Sequence, residues 1–285
     1  MNGVRDKLDY ENLTDKETKR FQYIQAQLQS HWEESKMYFS TDNIVGLFLQ
    51  GSQNYDLDTP SSDVDTKLVV TPSLSDIIMN RNAVSTTHIR ANDEHIDFKD
   101  IRLMLQTFRK QNLNFLEILF TDFYRLNDLY KDSWNELTKY RERVAHYNIY
   151  AAVKAMKGVA LEKYHAMEHP YPSKIDILAK YGYDPKQLHH LLRVDDYLKR
   201  YIAGEPYENC LHPDENMSEY LIRVKLGAYG LERAREVADG AIQHIDEMCA
   251  PYTKDSKYNK DDPFVDELLD SVQEQIMTKS IKQEL

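Results

Sequence analysis

The sequence has little cysteine, no long apolar run and too few basic side chains to balance its acids, and each shortage excludes a class of protein. Cys210 and Cys249 have no second Cys or His at ligand spacing, which excludes a disulfide framework and a cysteine-based zinc site. No apolar run approaches the roughly 18 residues that span a membrane. The net charge of −11 argues against broad, sequence-independent nucleic-acid binding, which depends on a basic surface, but it leaves room for a local basic patch.

The two ends of the chain carry no convincing targeting signal. The acidic, polar segment 1–17 does not have the character of a secretory signal. The last four residues, KQEL, only loosely resemble an endoplasmic-reticulum retrieval signal, which acts only on a secreted chain. We therefore expect a cytoplasmic protein. Its hydrophobic content of 41% and charged content of 29% are typical of a globular chain.

The hydrophobic pattern changes near residue 125 and predicts two parts. Before this point strand and helix signals mix, and after it long helical patterns dominate. We expect an α+β fold, in which a small mixed sheet with helices packed on one side precedes a helical bundle. The predicted domains are 1–125 for the sheet and its helices, 126–250 for the bundle, and 251–285 for a linker, a terminal helix and a frayed tail.

Periodicity and turn signals place the elements within these parts. The first part is predicted to contain a helix marked by Phe21, Ile24, Leu28 and Trp32 with Thr14 as its N-cap, strands at 44–49 and 64–70, a hairpin at 86–99 that turns near Asn92-Asp93, and helices at 101–110 and 113–120. The second part is predicted to contain helices at 149–160, 172–181, 187–202, 217–245 and 264–276.

The segment from Gly51 to Asp65, GSQNYDLDTPSSDVD, is the most informative in the chain. Gly51-Ser52 follows an apolar strand, and such a turn presents backbone N–H groups that suit phosphate oxygens. Asp63 and Asp65 lie on one face of a strand, where paired carboxylates suit Mg²⁺. The alternative is an ordinary turn followed by solvated acids, because each motif alone is common. Together the two motifs indicate chemistry on a nucleoside triphosphate (NTP).

Asp97 is the candidate third acid, because three carboxylates can hold the two metal ions of a nucleotidyl-transfer site. It lies on the predicted return strand of the hairpin, between the apolar Ile96 and Phe98. The alternative is an exposed acid on a half-buried strand. Lys67 lies two residues past Asp65 on the same strand face, and it either reaches the nucleotide or only balances the acids.

A basic helix face in the second part supports the same chemistry. Lys186, His190 and Arg193 are separated by four and three residues, so they share one face of a helix. By itself this pattern describes an amphipathic helix with a solvated basic side. Beside a triphosphate the same face would neutralise phosphate charge, with Arg193 as a bidentate clamp.

The combination of Gly51-Ser52, Tyr55-x-Leu57 and Thr59-Pro60-x-Ser62-Asp63-x-Asp65 resembles the DNA polymerase β-like nucleotidyltransferase superfamily. More narrowly, it is similar to a branch of predicted bacterial and phage nucleotidyltransferases associated with RNA repair. The stretch from Asn112 to Glu117 and the segment from Tyr183 to Arg193 support the resemblance, which covers about residues 44–205.

The chain departs from the family pattern at two positions of the first motif. Relatives often have a basic residue after Gly-Ser, where this chain has Gln53, and a glycine after the tyrosine, where it has Asp56. The departures concern how the phosphates or the acceptor are held, and they leave the acids in place.

The resemblance implies a polymerase β-like catalytic domain at 1–125 and a helical domain at 126–250 that closes the nucleotide cleft. It implies that two Mg²⁺ ions, replaceable by Mn²⁺, bind the catalytic acids, and that NTP is the substrate. The metal-binding acids would be Asp63, Asp65 and Asp97, and the nucleotide-binding residues would be Gly51, Ser52, Tyr55, Ser62, Lys67, Lys186, His190 and Arg193.

We therefore expect a nucleotidyltransferase that transfers a nucleoside monophosphate (NMP) to an acceptor hydroxyl and releases pyrophosphate. The family association favours an RNA 3′ end such as that of tRNA as the acceptor, and the acidic net charge fits a short or structured RNA better than a long one. A hydroxyl of a protein or a small molecule is the alternative acceptor. A non-catalytic nucleotide-binding module and a phosphohydrolase are the alternative classes.

Overall fold

The computed structural model describes residues 14–60 and 62–285, and its centre is a five-stranded mixed sheet. The strands are β1 (Ile44–Gln50), β2 (Asp65–Val70), β3 (Ser85–Ile89), β4 (His95–Asp100) and β5 (Tyr124–Leu126). Their order in the sheet is β3-β4-β2-β1-β5, in which β2 and β4 pair in parallel and the other neighbours pair antiparallel. The prediction that segment 1–17 is not a secretory signal concerns mainly residues outside the described ones.

Helices precede the sheet, cover it and follow it along the chain. None of those described is long and apolar enough to cross a bilayer. The α-helices are α1 (Asp15–Ser35), α2 (Leu74–Ile78), α3 (Ile101–Arg109), α4 (Leu113–Leu116), α5 (Lys131–Lys139), α6 (Arg141–Ala145), α7 (Ile149–Ala166), α8 (Ile175–Tyr181), α9 (Pro185–Ile202), α10 (Tyr207–Leu211), α11 (Glu215–Lys225), α12 (Leu231–Thr253) and α13 (Pro263–Glu284).

Most predicted elements of the first part are confirmed. Helix α1 begins with a capping box, in which the Thr14 hydroxyl accepts the backbone N–H of Glu17 at 3.3 Å. The two strands and the hairpin lie within a residue or so of their predicted bounds. The short strand β5 was not predicted, because three residues of mixed burial carry too little periodicity.

Helices pack on both faces of the sheet, so the prediction that they pack on one face was wrong. Leu68 and Val70 of β2 face α1 and share an apolar cluster with its Ile24. On the opposite face, Phe48 of β1 stacks on Trp134 of α5 with ring centroids 4.5 Å apart. The reason is visible in the composition of β1, which is buried and apolar at almost every position and therefore needs cover on both sides.

The long helix predicted from residue 217 is two helices, α11 and α12, separated by a break at Gly227. This glycine has φ +82°, and a Cβ atom there would lie 2.4 Å from the Tyr181 ring. Both the left-handed backbone and the close ring contact require glycine. The helical periodicity continues across this break, which is why the pattern alone predicted one element.

The end of the chain is ordered, contrary to the predicted frayed tail. Helix α13 continues to Glu284, whose carboxylate accepts the backbone N–H of Leu74 at 2.9 Å. Ser280 is buried and receives a hydrogen bond from the Asn43 side-chain amide at 3.3 Å. Helix α12 likewise runs through Pro251 to Thr253, into the predicted linker.

One apolar cluster runs without interruption from Val45 in the sheet to Ile276 in α13. It takes in residues of α3, α7, α9 and α12, so the sheet and the helices are built around a shared core. The division of the chain into 1–125, 126–250 and 251–285 stays a prediction.

Candidate functional site

A cleft of about 290 Å³ opens where the loop after β1 faces helices α9 and α11. Its walls come from segments far apart in the sequence, and they include most of the residues singled out from the motifs. Those predicted residues are Gly51, Ser52, Tyr55, Ser62, Asp63, Asp65, Lys186 and His190. The unpredicted lining residues are Thr59, Lys225 and Leu226. Lys67, Asp97 and Arg193 are not among the residues that line the cleft.

The Gly-Ser turn begins where β1 ends. Gly51 has φ +80°, a left-handed conformation that glycine adopts without strain. Its N–H donates to Oε1 of Glu117 at 3.3 Å. The turn is therefore fixed from the inside of the protein by a buried carboxyl, while Gly51 and Ser52 also face the cleft.

The Glu117 carboxyl has an unusual environment. It is 4% exposed, and burial raises its pKa to about 7. The positive charge of Arg193, the Gly51 N–H and the charge of Lys67 oppose this rise without cancelling it. The group that holds the Gly-Ser turn therefore changes its charge near neutral pH.

Asp65 is the first residue of β2, Asp63 lies two residues before the strand, and both line the cleft. Asp63 is exposed, whereas Asp65 is half-buried and accepts the backbone N–H of His95 at 2.9 Å. Burial raises the pKa of Asp65, the His95 N–H and imidazole lower it, and the charge of Asp63 raises it further, with a net rise. A cation placed between the two carboxylates would relieve their repulsion.

Asp97 lies outside the cleft and is held by its neighbours. Its carboxylate accepts hydrogen bonds from Gln50 Nε2 at 2.9 Å and Thr87 Oγ1 at 2.6 Å. It also pairs with Lys67 Nζ at 3.3 Å, directly across the β2–β4 register. Burial raises the pKa of Asp97, but the Lys67 charge and the hydrogen bonds outweigh this and leave the pKa below its usual value.

Lys67 is fixed in the same arrangement and is only 2% exposed. Its ammonium lies 4.1 Å from the centroid of the Phe115 ring, in addition to its contact with Asp97. Burial lowers the pKa of Lys67, and the charges of Asp97, Glu117 and Asp65 act in the opposite direction. Of the two roles considered for Lys67, balancing the acids is the one that these contacts favour.

Over residues 14–60 and 62–285, no three His, Cys, Asp or Glu side chains are arranged to hold a metal ion. The three-acid set expected for two metal ions stays a prediction. Asp63 and Asp65 nevertheless fit Mg²⁺ that takes its other ligands from phosphates and water, because Mg²⁺ is commonly bound through one or two carboxylates in this way.

Helix α9 brings Lys186 and His190 to the cleft. The Asp184 carboxylate caps the helix by accepting the Lys186 N–H at 2.9 Å. Burial lowers the pKa of His190 well below its usual value, and the positive charges of nearby His189, Arg193 and Lys186 lower it further. His190 is therefore neutral at pH 7, which leaves Lys186 as the charged member of this pair at the cleft.

Arg193 is 5% exposed and lies behind the cleft wall. Its guanidinium carbon is 3.4 Å from the centroid of the Tyr55 ring, a cation–π contact. Nε and Nη2 find no hydrogen-bond acceptor within the described part of the chain. The predicted bidentate phosphate clamp thus occupies a packed position beneath Tyr55, and its role toward phosphate stays a prediction.

Arg20 of α1 contacts both residues at which the chain departs from the motif that it resembles, Gln53 and Asp56. It donates to Asp56 Oδ1 at 2.8 Å and to the backbone oxygen of Gln53 at 2.6 Å. It also pairs with Asp58 at 2.9 Å. Asp56 has φ +62°, in the left-handed region that glycine adopts freely. The loop is therefore held by a cation from outside the motif.

No protein-family model and no curated protein matches this chain. Among solved structures, the chain is similar to a nucleotidyltransferase-like protein from Exiguobacterium sibiricum 255-15, with a TM-score of 0.30 and 12% sequence identity. The alignment covers 81% of this chain and 77% of that protein. A TM-score this low supports no argument about function, which has to come from the residues of the cleft.

The sequence motifs missed two residues that shape the cleft. Lys225, the last residue of α11, donates to the Leu57 carbonyl at 2.9 Å and to Ser62 Oγ at 3.2 Å. Its helix is distant in sequence and carries no motif, so no signal pointed to it. Glu117 did belong to a stretch that supports the family resemblance, but its contact with Gly51 could not be read from spacing.

Proposed function

We propose that this chain is a nucleotidyltransferase that transfers an NMP from an NTP to an acceptor hydroxyl. The observation that carries the proposal is the shared cleft of about 290 Å³, where Gly51-Ser52, the pair Asp63 and Asp65, and the cation of Lys186 meet. Its volume lies at the lower end of the roughly 300–1,000 Å³ of ligand pockets. It therefore suits a triphosphate better than a whole nucleotide.

Each wall of the cleft has a separate task in this proposal. Ser52 and Lys186 bind the phosphates, and neutral His190 donates one hydrogen bond without adding charge. Asp63 and Asp65 would hold Mg²⁺ supplied with the NTP, and that ion would offset the charge of the phosphates. The acceptor oxygen forms a bond to the α-phosphorus, the bond from that phosphorus to the bridging oxygen breaks, and pyrophosphate leaves.

The proton of the acceptor hydroxyl needs a carboxylate or solvent as its destination. Asp65 lines the cleft, so its carboxylate is a candidate acceptor for this proton. Asp97 would have to exchange its contacts with Lys67, Gln50 and Thr87 before it could bind a metal ion, so its assignment as a third ligand stays a prediction.

We propose an RNA 3′ end, such as that of tRNA, as the acceptor. Two considerations support it: the family resemblance, and the net charge of −11, which favours a short or structured end over a long RNA track. A protein or small-molecule hydroxyl is the competing acceptor.

Label transfer tests both the reaction and the acceptor. Purified protein is incubated with each α-labelled NTP, Mg²⁺, and the RNA, protein or small-molecule fraction of a cell lysate. We expect label in the RNA fraction and equimolar pyrophosphate. Asp65→Asn should lower the rate about a hundredfold or more, because several kcal/mol of transition-state stabilisation go with the metal.

Asp246→Asn is a matched control, because Asp246 pairs with Lys157 and does not line the cleft. It should leave the rate unchanged. Label in the protein or small-molecule fraction would change the proposed acceptor and leave the proposed reaction in place. A protein that binds neither NTP nor Mg²⁺, with Asp65→Asn indistinguishable from the parent, would overturn the proposal.

A non-catalytic nucleotide-binding module is the second candidate, favoured by the pairing of Asp97 with Lys67 and by the absence of a three-acid cluster among the described residues. It predicts tight NTP binding without pyrophosphate release, whichever acceptor fraction is present. Calorimetry with NTP, followed by a pyrophosphate assay on the same sample, separates the two candidates.

A further inference from the structure

We propose that Lys225 is a polyphosphate-binding residue, which together with Lys186 holds the phosphate chain across the cleft. The inference rests on the proposed function for the identity of the ligand, but its geometric basis is independent of catalysis. Lys225 comes from α11 and Lys186 from α9, and both line the same cleft as Gly51 and Ser52.

The ammonium of Lys225 has one donor without an acceptor among residues 14–60 and 62–285. A lysine ammonium carries three N–H donors. Two of them are directed to the Leu57 carbonyl at 2.9 Å and to Ser62 Oγ at 3.2 Å. These two contacts fix the position of the nitrogen at the cleft wall, which leaves the third donor for an anion in the cleft. A lysine that is already positioned loses less side-chain entropy when it binds phosphate.

The charges around Lys225 also favour an anion. Burial lowers the pKa of Lys225, and the positive charge of Lys186 lowers it further. The charges of Asp58 and Asp63 oppose both effects. A phosphate chain between the two ammonium groups would replace their mutual repulsion with two charge-assisted contacts. A neutral ligand or a nucleobase has no negative charge and could not relieve this repulsion.

The ligand class follows from this arrangement. Two ammonium groups from different helices suit an anion with several charged oxygens spread along a chain, such as a triphosphate. A nucleoside monophosphate would use fewer of these contacts. Lys225 should therefore discriminate among ligands by the number of their phosphates, and the identity of the base should have little influence on its contribution.

Calorimetric titration of the whole protein with inorganic tripolyphosphate, without added metal, tests the inference directly. Lys225→Met should weaken tripolyphosphate binding by about tenfold to a hundredfold, the value of one lost hydrogen bond between charged groups. It should weaken NTP binding similarly and change AMP binding by less than about threefold. Lys225→Arg should keep most of the affinity, because it keeps the charge.

Lys279→Met is the matched control. Lys279 is likewise a lysine that donates to a serine hydroxyl, Ser133 Oγ at 3.0 Å, and it does not line the cleft. It should bind tripolyphosphate as the parent does. Thermal unfolding of each variant detects a general loss of structure, which would weaken AMP and tripolyphosphate equally and would count against a phosphate contact.

The outcomes separate this inference from the proposed function. Parental tripolyphosphate affinity in Lys225→Met, or no tripolyphosphate binding by the parent protein, would overturn the inference and leave label transfer to decide the reaction. Selective loss of tripolyphosphate binding in a protein that never transfers label would support the inference and overturn the proposed reaction.

Discussion

Glu117 accepts the backbone N–H of Gly51 at 3.3 Å, so a buried carboxyl holds the turn that forms one wall of the cleft. The contact links the turn after α4 to the loop after β1. Two cations, Arg193 and Lys67, act on the same carboxyl from the protein interior. The Gly-Ser turn is therefore connected to the core through a group that titrates near neutral pH.

Glu117→Gln should remove a pH dependence of stability. The pKa of Glu117 is raised mainly by burial from 4.5 in an exposed chain to about 7 in the folded protein. The folded state thus holds the proton more tightly, and this group makes the free energy of unfolding fall as the pH rises from about 4.5 to about 7. Urea unfolding at several pH values should show the parent losing stability relative to Glu117→Gln across this interval, and parallel curves would contradict it.

Glu274→Gln serves as the control for that experiment, because Glu274 is exposed on α13. Its unfolding curve should follow the parent at every pH. A difference confined to Glu117→Gln would assign the dependence to the buried carboxyl.

Asp97→Asn should destabilise the protein by about 1–3 kcal/mol, because it leaves the buried Lys67 ammonium without its charged partner. Lys67→Met in the same chain should recover part of the loss. Urea unfolding of the parent, both single variants and the double variant gives the coupling energy. Additive effects would show that the pair contributes nothing. Loss of label transfer far beyond the loss of stability would support the metal role of Asp97.

Asp56→Gly should be more stable than Asp56→Ala by about 1 kcal/mol. Both variants lose the carboxylate that pairs with Arg20, so their difference isolates the backbone. The residue has φ +62°, which alanine adopts at a cost and glycine adopts freely. Thermal unfolding of the two variants measures the difference, and equal melting temperatures would show that the loop has moved.

Gly227→Ala should destabilise the protein by about 2 kcal/mol or more, since it adds strain at φ +82° and a Cβ atom 2.4 Å from the Tyr181 ring. Gly240→Ala is the matched variant inside α12, where a Cβ atom meets nothing within 4 Å. It should be neutral or stabilising, because alanine favours a helix. Urea unfolding compares the two, and similar effects would contradict the assigned break between α11 and α12.

The sequence was informative where the fold depends on local pattern. The strand periodicity and the Thr14 cap signal depend only on residues within or next to the predicted element. The strands and the helix cap that they predict are confirmed. The spacing from Gly51 to Asp65 also brought predicted residues to one cleft, because the loop after β1 and the start of β2 are neighbours in antiparallel pairing.

The features of the site that the sequence did not predict depend on contacts between distant segments. Lys225 meets Ser62 across a separation of 163 residues, and no periodicity reports such a pair. The pairing of Asp97 with Lys67 depends on the parallel register of β2 and β4, which the two strands do not reveal separately. Lys186 and Arg193 were predicted to act together because they share one face of a helix. In the structure Lys186 lines the cleft, whereas Arg193 is buried behind the cleft wall.

The apolar cluster that extends from Val45 to Ile276 joins the sheet to the helices and therefore bears on whether they can unfold separately. Because the sheet and the helices bury their side chains against one another, separating them would expose apolar surface on both. We therefore expect the part of the chain that carries the acids and the part that carries Lys186 and Lys225 to depend on each other for their folded state. We therefore expect thermal unfolding to show one cooperative transition, and we expect fragments cut between the two parts not to refold alone.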